Sequence, residues 1–165
     1  IVGTGPLENE LRRQAENLGV NDRIVWCGRA DEDQLIGAYH AATALWFPST
    51  HKSEAFGLVQ VEAMACGCPV ITTRNGSLAE VAGDAALFVR DNDIDGMTAC
   101  LQEVRKPEVR ERLIADRNSS TSPSPRSINR SSGAMRKLAS AASKIRPRGA
   151  PQWRRQFPTM SSAKS

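Results

Sequence analysis

Short apolar runs alternate with amphipathic segments along the first 115 residues. Ile1-Val2 reads as the end of a buried strand and Gly3-Thr4-Gly5-Pro6 as a turn; Leu7, Leu11, Ala15 and Leu18 then recur at helical spacing up to a stop at Gly19. The same order returns at Ile24-Val25-Trp26-Cys27, a strand followed by Gly28, an acidic helix start at Asp31-Glu32-Asp33, and a helix through Leu35, Ile36, Tyr39 and Ala42. Ala44-Leu45-Trp46-Phe47 is the third apolar run. It ends at Pro48, a loop spans Ser49 to Gly57, and Leu58 to Cys66 forms a helix stopped by Gly67. Pro69 to Thr73 predicts a strand, Asn75-Gly76 a turn, Leu78 to Val81 a short helix and Ala86 to Val89 a last strand; closing helices are expected over Ile94 to Arg105 and Pro107 to Ala115.

Short apolar strands with little polar alternation inside them, alternating with helices, indicate an α/β domain whose parallel sheet is covered on both faces. The expected architecture is Rossmann-like and incomplete at its N-terminus. Ligands of such sheets bind beyond the carboxyl ends of the strands, so loops 3–6, 28–33, 48–57 and 73–77 are expected along one edge.

Charge divides the chain. Residues 1–115 carry 11 Lys and Arg against 17 Asp and Glu, a net of −6, whereas residues 116–165 carry 11 Lys and Arg against Asp116 alone, a net of +10. The overall +4 therefore describes neither part and does not argue for a nucleic-acid partner. The last 50 residues include 12 Ser and 5 Pro, which predicts a basic tail that is disordered, with one short helical patch from Met135 to Ile145. The change at Asp116 is abrupt, as after an altered reading frame. Ile1 follows no Met and no basic-then-apolar leader, so the chain reads as entered partway, and no apolar run is long enough to span a membrane.

The densest chemical signal lies between Ser53 and Ile71. Glu54 and Glu62 have seven residues between them, with Gly57 at the junction of loop and helix. The N–H groups of about Phe56, Gly57, Leu58 and Val59 make a helix start, whose unpaired donors and positive dipole end attract phosphate. Glu54 can accept from hydroxyls of a bound polyol. Glu62, in an otherwise apolar segment, needs a specific partner such as ribose hydroxyls. Either carboxylate alone reads most simply as a dipole partner or a solvated helix residue. Together with Gly57 and the Gly67-Cys68-Pro69 stop they fit a nucleotide-diphosphate sugar.

In this ordered series the chain resembles the retaining glycosyltransferases of family 4, which have the GT-B fold. Glu62 to Ile71 is similar to that family's E-A-M-A-x-G-x-P-V-I helix and strand. Val2 to Pro6, Val25 to Arg29, Phe47-Pro48-Ser49 and Asn75 to Val81 resemble four further segments of it. The resemblance covers residues 1 to about 115. It implies that Glu54 contacts the transferred sugar in the catalytic site, that backbone from Phe56 to Val59 binds sugar and diphosphate, that Glu62 binds ribose, and that backbone near Gly28 and Arg29 lies by the base. It implies hexosyl transfer from a nucleotide-sugar donor to a glycan or lipid-linked acceptor, with no cofactor and usually no metal. Location is expected to be cytoplasmic, extending to peripheral contact with the inner face of a membrane. The family's amino-terminal domain and its diphosphate-clamping Arg and Lys would precede Ile1, so these residues alone are expected to be inactive.

The remaining candidates are minor. Cys66 and Cys68 form a C-x-C pair without a second ligand pair at zinc spacing, and with Cys27 and Cys100 they read as reduced packing cysteines. His40 reads as structural, and His51 as a possible sugar contact. The competing functional reading is a non-catalytic nucleotide or polyanion-binding protein whose basic tail supplies the partner.

Overall fold

A computed structural model describes residues 1–50 and 57–120. They divide into two compact units, Ile1–Gly37 and Ala38 onward, each described by itself.

In the first unit α1 (Glu8–Asn17) is the expected amphipathic helix. It ends because Gly19 adopts a left-handed φ of +65°, which lets Val20 N–H donate to Ala15 O at 3.0 Å and close the last turn. Only Ala15 of its apolar stripe is buried, with Leu7, Leu11 and Leu18 all exposed. Glu8 and Arg12, one turn apart, pair at 2.8 Å, and the Arg12 guanidinium lies 4.5 Å from the centre of the Trp26 ring. The start of α2 (Glu32–Ala41) closes reciprocally: Gln34 N–H donates to Asp31 Oδ1 at 2.8 Å, and Asp31 N–H donates to Gln34 Oε1 at 3.0 Å. The acidic helix start thus acts through Asp31 as a cap.

The two strands expected at Ile1-Val2 and Ile24 to Cys27 are corrected. Val2 and Gly28 form an isolated parallel bridge, supported by Gly3 N–H to Gly28 O at 2.7 Å and Cys27 N–H to Ile1 O at 2.9 Å. The chain directions are as expected, but two residues are too few to propagate a ladder.

The second unit contains a parallel sheet of three strands in the order β1 (Leu45–Phe47), β2 (Val70–Thr73), β3 (Ala86–Val89). Leu45 faces Val70, and Val70 in turn faces Ala86. Between and after the strands run α3 (Leu58–Ala65), α4 (Leu78–Ala82), α5 (Ile94–Glu103) and α6 (Pro107–Ser120). The last helix extends five residues past the expected Ala115. All four residues of β2 are buried, and since successive side chains point to opposite faces, both faces of the central strand are covered. On one of them Ile71 joins Val89, Met97, Val104 and Leu113 in the main core cluster. Thr72 and Thr73 tolerate burial because their hydroxyls donate to Phe47 O at 3.1 Å and Ser49 O at 2.5 Å.

No described helix is long and apolar enough to cross a membrane.

Candidate functional site

The carboxyl ends of the strands are tied together by side chains from the loops that follow them. Asn75 Nδ2 donates to Ser49 O at 2.9 Å and to Asp91 Oδ1 at 2.6 Å, next to the Thr73 bond to the same Ser49 carbonyl. Loops 48–49, 73–77 and 91 thereby share one edge, as the alternation of strands and helices required. Sequence reasoning read Asn75-Gly76 only as a turn; the amide's reach across to Ser49 carried no local signal.

Helix α3 begins at Gly57, whose φ of +61° and ψ of +51° are left-handed. A Cβ there would collide with the Leu78 side chain, so glycine is required both by its dihedral angles and by the approach of α4. Glycine supplies no side-chain cap, and the first turn of α3 contains no acidic residue. Gly57, Gln60, Val61, Ala63 and Met64 are buried while Leu58 and Val59 are exposed, so the body of the helix is anchored and two side chains of its first turn face outward. Gln60 Nε2 donates to Leu78 O at 3.1 Å; its Oε1 is buried and without a hydrogen-bond partner among the described residues.

Glu62 lies one turn into α3 and is half-buried. Its Oε2 accepts a hydrogen bond from the Tyr39 hydroxyl at 3.2 Å. Tyr39, near the end of α2, is 6% exposed. Burial, and then the neighbouring Glu62 charge, hold the phenol above its ordinary pKa, so it remains a proton donor. The partner that an in-helix carboxylate was expected to need is thus, in part, a protein hydroxyl 23 residues away in sequence.

Other expected site residues are placed as follows. Gly28 is left-handed, with φ of +63°, and accepts from Gly3 N–H; Arg29 is exposed; both belong to the first unit. Glu54, Phe56 and His51 lie outside the described residues, as does the tail from residue 121. His40 is exposed on α2. Among the described residues Cys27, Cys68 and Cys100 are free thiols, and burial pushes that of Cys68 up to about 11. Among the described residues no three His, Cys, Asp or Glu gather as a metal site. A separate concavity of about 430 Å³ includes Arg74, Phe88 and Arg112 in its lining, together with Asp84 and Asp116. It contains neither Gly57 nor Glu62.

Comparison with known proteins agrees with this fold. The chain belongs to the glycosyltransferases of group 1, whose family pattern matches residues 1–118. It is 36% identical over 110 residues to D-inositol 3-phosphate glycosyltransferase of Mycolicibacterium smegmatis, a match covering 64% of this chain and 25% of that protein. It is 31% identical over 121 residues to alpha-monoglucosyldiacylglycerol synthase of Streptococcus pneumoniae, covering 71% of this chain and 26% of the relative. Sucrose-phosphate synthase from Thermosynechococcus elongatus shares the fold, with a TM-score of 0.62 at 21% identity over 95% of this chain and 38% of that one. The chain therefore spans about a quarter of the length of these curated relatives.

Proposed function

We propose that this chain is the donor-binding part of a retaining glycosyltransferase, holding a nucleotide-diphosphate sugar at the start of α3. The observation that carries the reading is one helix with two opposite polarities: a start after the left-handed Gly57 that no described side chain caps, and a half-buried carboxylate at Glu62 one turn beyond Leu58. Leu58 and Glu62 are separated by about 6 Å along the axis. That is a spacing at which N–H groups at the helix start take the diphosphate while the carboxylate takes ribose hydroxyls.

In this reading Glu54 contacts the sugar, and backbone from Phe56 to Val59 the sugar and diphosphate. The helix start stabilises negative charge as the diphosphate departs, which is where preorganised donors lower a barrier. The relatives' names point to products as different as an inositol phosphate conjugate and a glucosyldiacylglycerol. Glycosyl transfer is what those names share, which supports a reading in which the common chemistry lies on the donor side. Assayed by themselves, the 165 residues are expected to bind donor with turnover lower by orders of magnitude than in a protein of the relatives' length, because the acceptor must also be positioned.

Calorimetric titration with UDP-, GDP- and ADP-sugars tests the proposal. One class of donor should bind, and Glu62→Ala should weaken it about tenfold or more, in keeping with loss of hydrogen bonds to a charged group. Absence of binding by all three classes, or affinity indifferent to the substitution, would overturn it.

A further inference from the structure

We propose that Tyr39 is a positioning residue that orients the Glu62 carboxylate for the hydroxyls of the nucleotide ribose, and so sets the preference for a ribonucleotide; this rests on the donor-binding reading of Glu62.

Glutamate has three side-chain torsions, and on a helix its carboxylate ordinarily samples several directions in solvent. Here one oxygen, Oε2, is engaged by the Tyr39 hydroxyl at 3.2 Å. Tyr39 is itself fixed, because its ring is buried and only its hydroxyl needs a polar partner. A rigid donor from α2 thereby restricts the last torsion of a side chain on α3 and leaves Oε1 to a ligand. The arrangement also fixes polarity. A phenol held protonated by burial and by the Glu62 charge donates and does not compete as an acceptor. The ionised carboxylate can then only accept, so the ligand must bring donors, which ribose hydroxyls are and phosphate oxygens are not. The anion-attracting helix start and the anion-rejecting carboxylate together define which end of a nucleotide goes where.

The test compares UDP, GDP and ADP with their 2′,3′-dideoxy counterparts, titrated into the 165-residue chain, Tyr39→Phe and Glu62→Gln. Phe keeps the ring and its packing, and equal thermal midpoints of Tyr39→Phe and the unmodified chain would confirm an intact fold. The unmodified chain should prefer the ribonucleotide about tenfold or more, and Glu62→Gln should erase most of that preference. Tyr39→Phe is expected to reduce the preference about fivefold through the ribonucleotide alone, leaving the dideoxy affinity within about twofold. If Tyr39→Phe leaves the preference intact while Glu62→Gln removes it, the positioning role is overturned and the donor site stands. If Tyr39→Phe weakens both nucleotides equally, Tyr39 is structural only and the inference again fails. If the unmodified chain binds no nucleotide, or does not distinguish ribose from dideoxyribose, the Glu62 reading fails and takes the inference with it.

Discussion

Helices α1 and α3 differ both in their pattern of apolar residues and in what the fold does with them. The apolar stripe of α1 is the more regular of the two, yet Leu7, Leu11 and Leu18 are exposed and Ala15 alone is buried. Helix α3 carries Gln60 and Glu62 among its apolar residues, yet four of its eight residues are buried and it packs on β1, β2 and α4. Periodicity says which face of a helix is apolar; whether another element covers that face is a separate fact. Helix α1 is held by local chemistry, the left-handed Gly19 stop and the Glu8–Arg12 pair, both of which operate within a few residues. Helix α3 is held by tertiary packing, with Gly57 and Gln60 both fitted to Leu78.

That contrast can be broken most forcefully in the packed region. Ile71→Ala removes a fully buried side chain from the central strand and should cost about 2–5 kcal/mol in urea denaturation, by lost burial plus the cavity left behind. A cost below about 1 kcal/mol would mean that the strand is less tightly enclosed than its burial indicates. Gly57→Ala comes next. It places a Cβ in a left-handed conformation and against Leu78, with an expected loss of about 2–3 kcal/mol. Gly57→Ala and Leu78→Ala should then be non-additive, since the smaller neighbour makes room for the new methyl group. The smallest effect is expected from Leu11→Ser on α1, within about 0.5 kcal/mol, because the side chain already faces solvent. A larger loss at Leu11, especially one that depends on protein concentration, would show that the α1 stripe is covered in solution and would narrow the difference between the helices.

Legibility in the sequence followed the range of the interactions involved. Strands β1, β2 and β3 could be read within a residue or so because each is a short run of apolar or β-branched residues, and β3 matches its expected limits. Helix α2 begins at Glu32, inside the acidic stretch where its start is expected, because Asp31 and Gln34 cap it reciprocally. The strands at Ile1-Val2 and Ile24 to Cys27 were misjudged in kind: an apolar run signals extended chain, whereas a ladder needs a partner of matching length. In the candidate site, Gly57 and Glu62 were visible through their spacing. Tyr39 was visible only as an apolar position of a helix, and Asn75 only as part of a turn, since neither residue's partner is near it in sequence.

The sequence by itself determined the α/β alternation, the edge shared by loops 48–49 and 73–77, the opposite net charges of residues 1–115 and 116–165, and membership of the group 1 glycosyltransferases. These follow from local propensity, periodicity and spacing, which a linear chain carries in full. Only the tertiary structure decided that the α1 leucines face outward, that Gly57 is demanded by Leu78 as well as by its own φ, and that Tyr39 holds Glu62. Each of those depends on atoms brought together across 18 or more residues or left apart by the packing, and their encounter is set by how the helices close over the sheet.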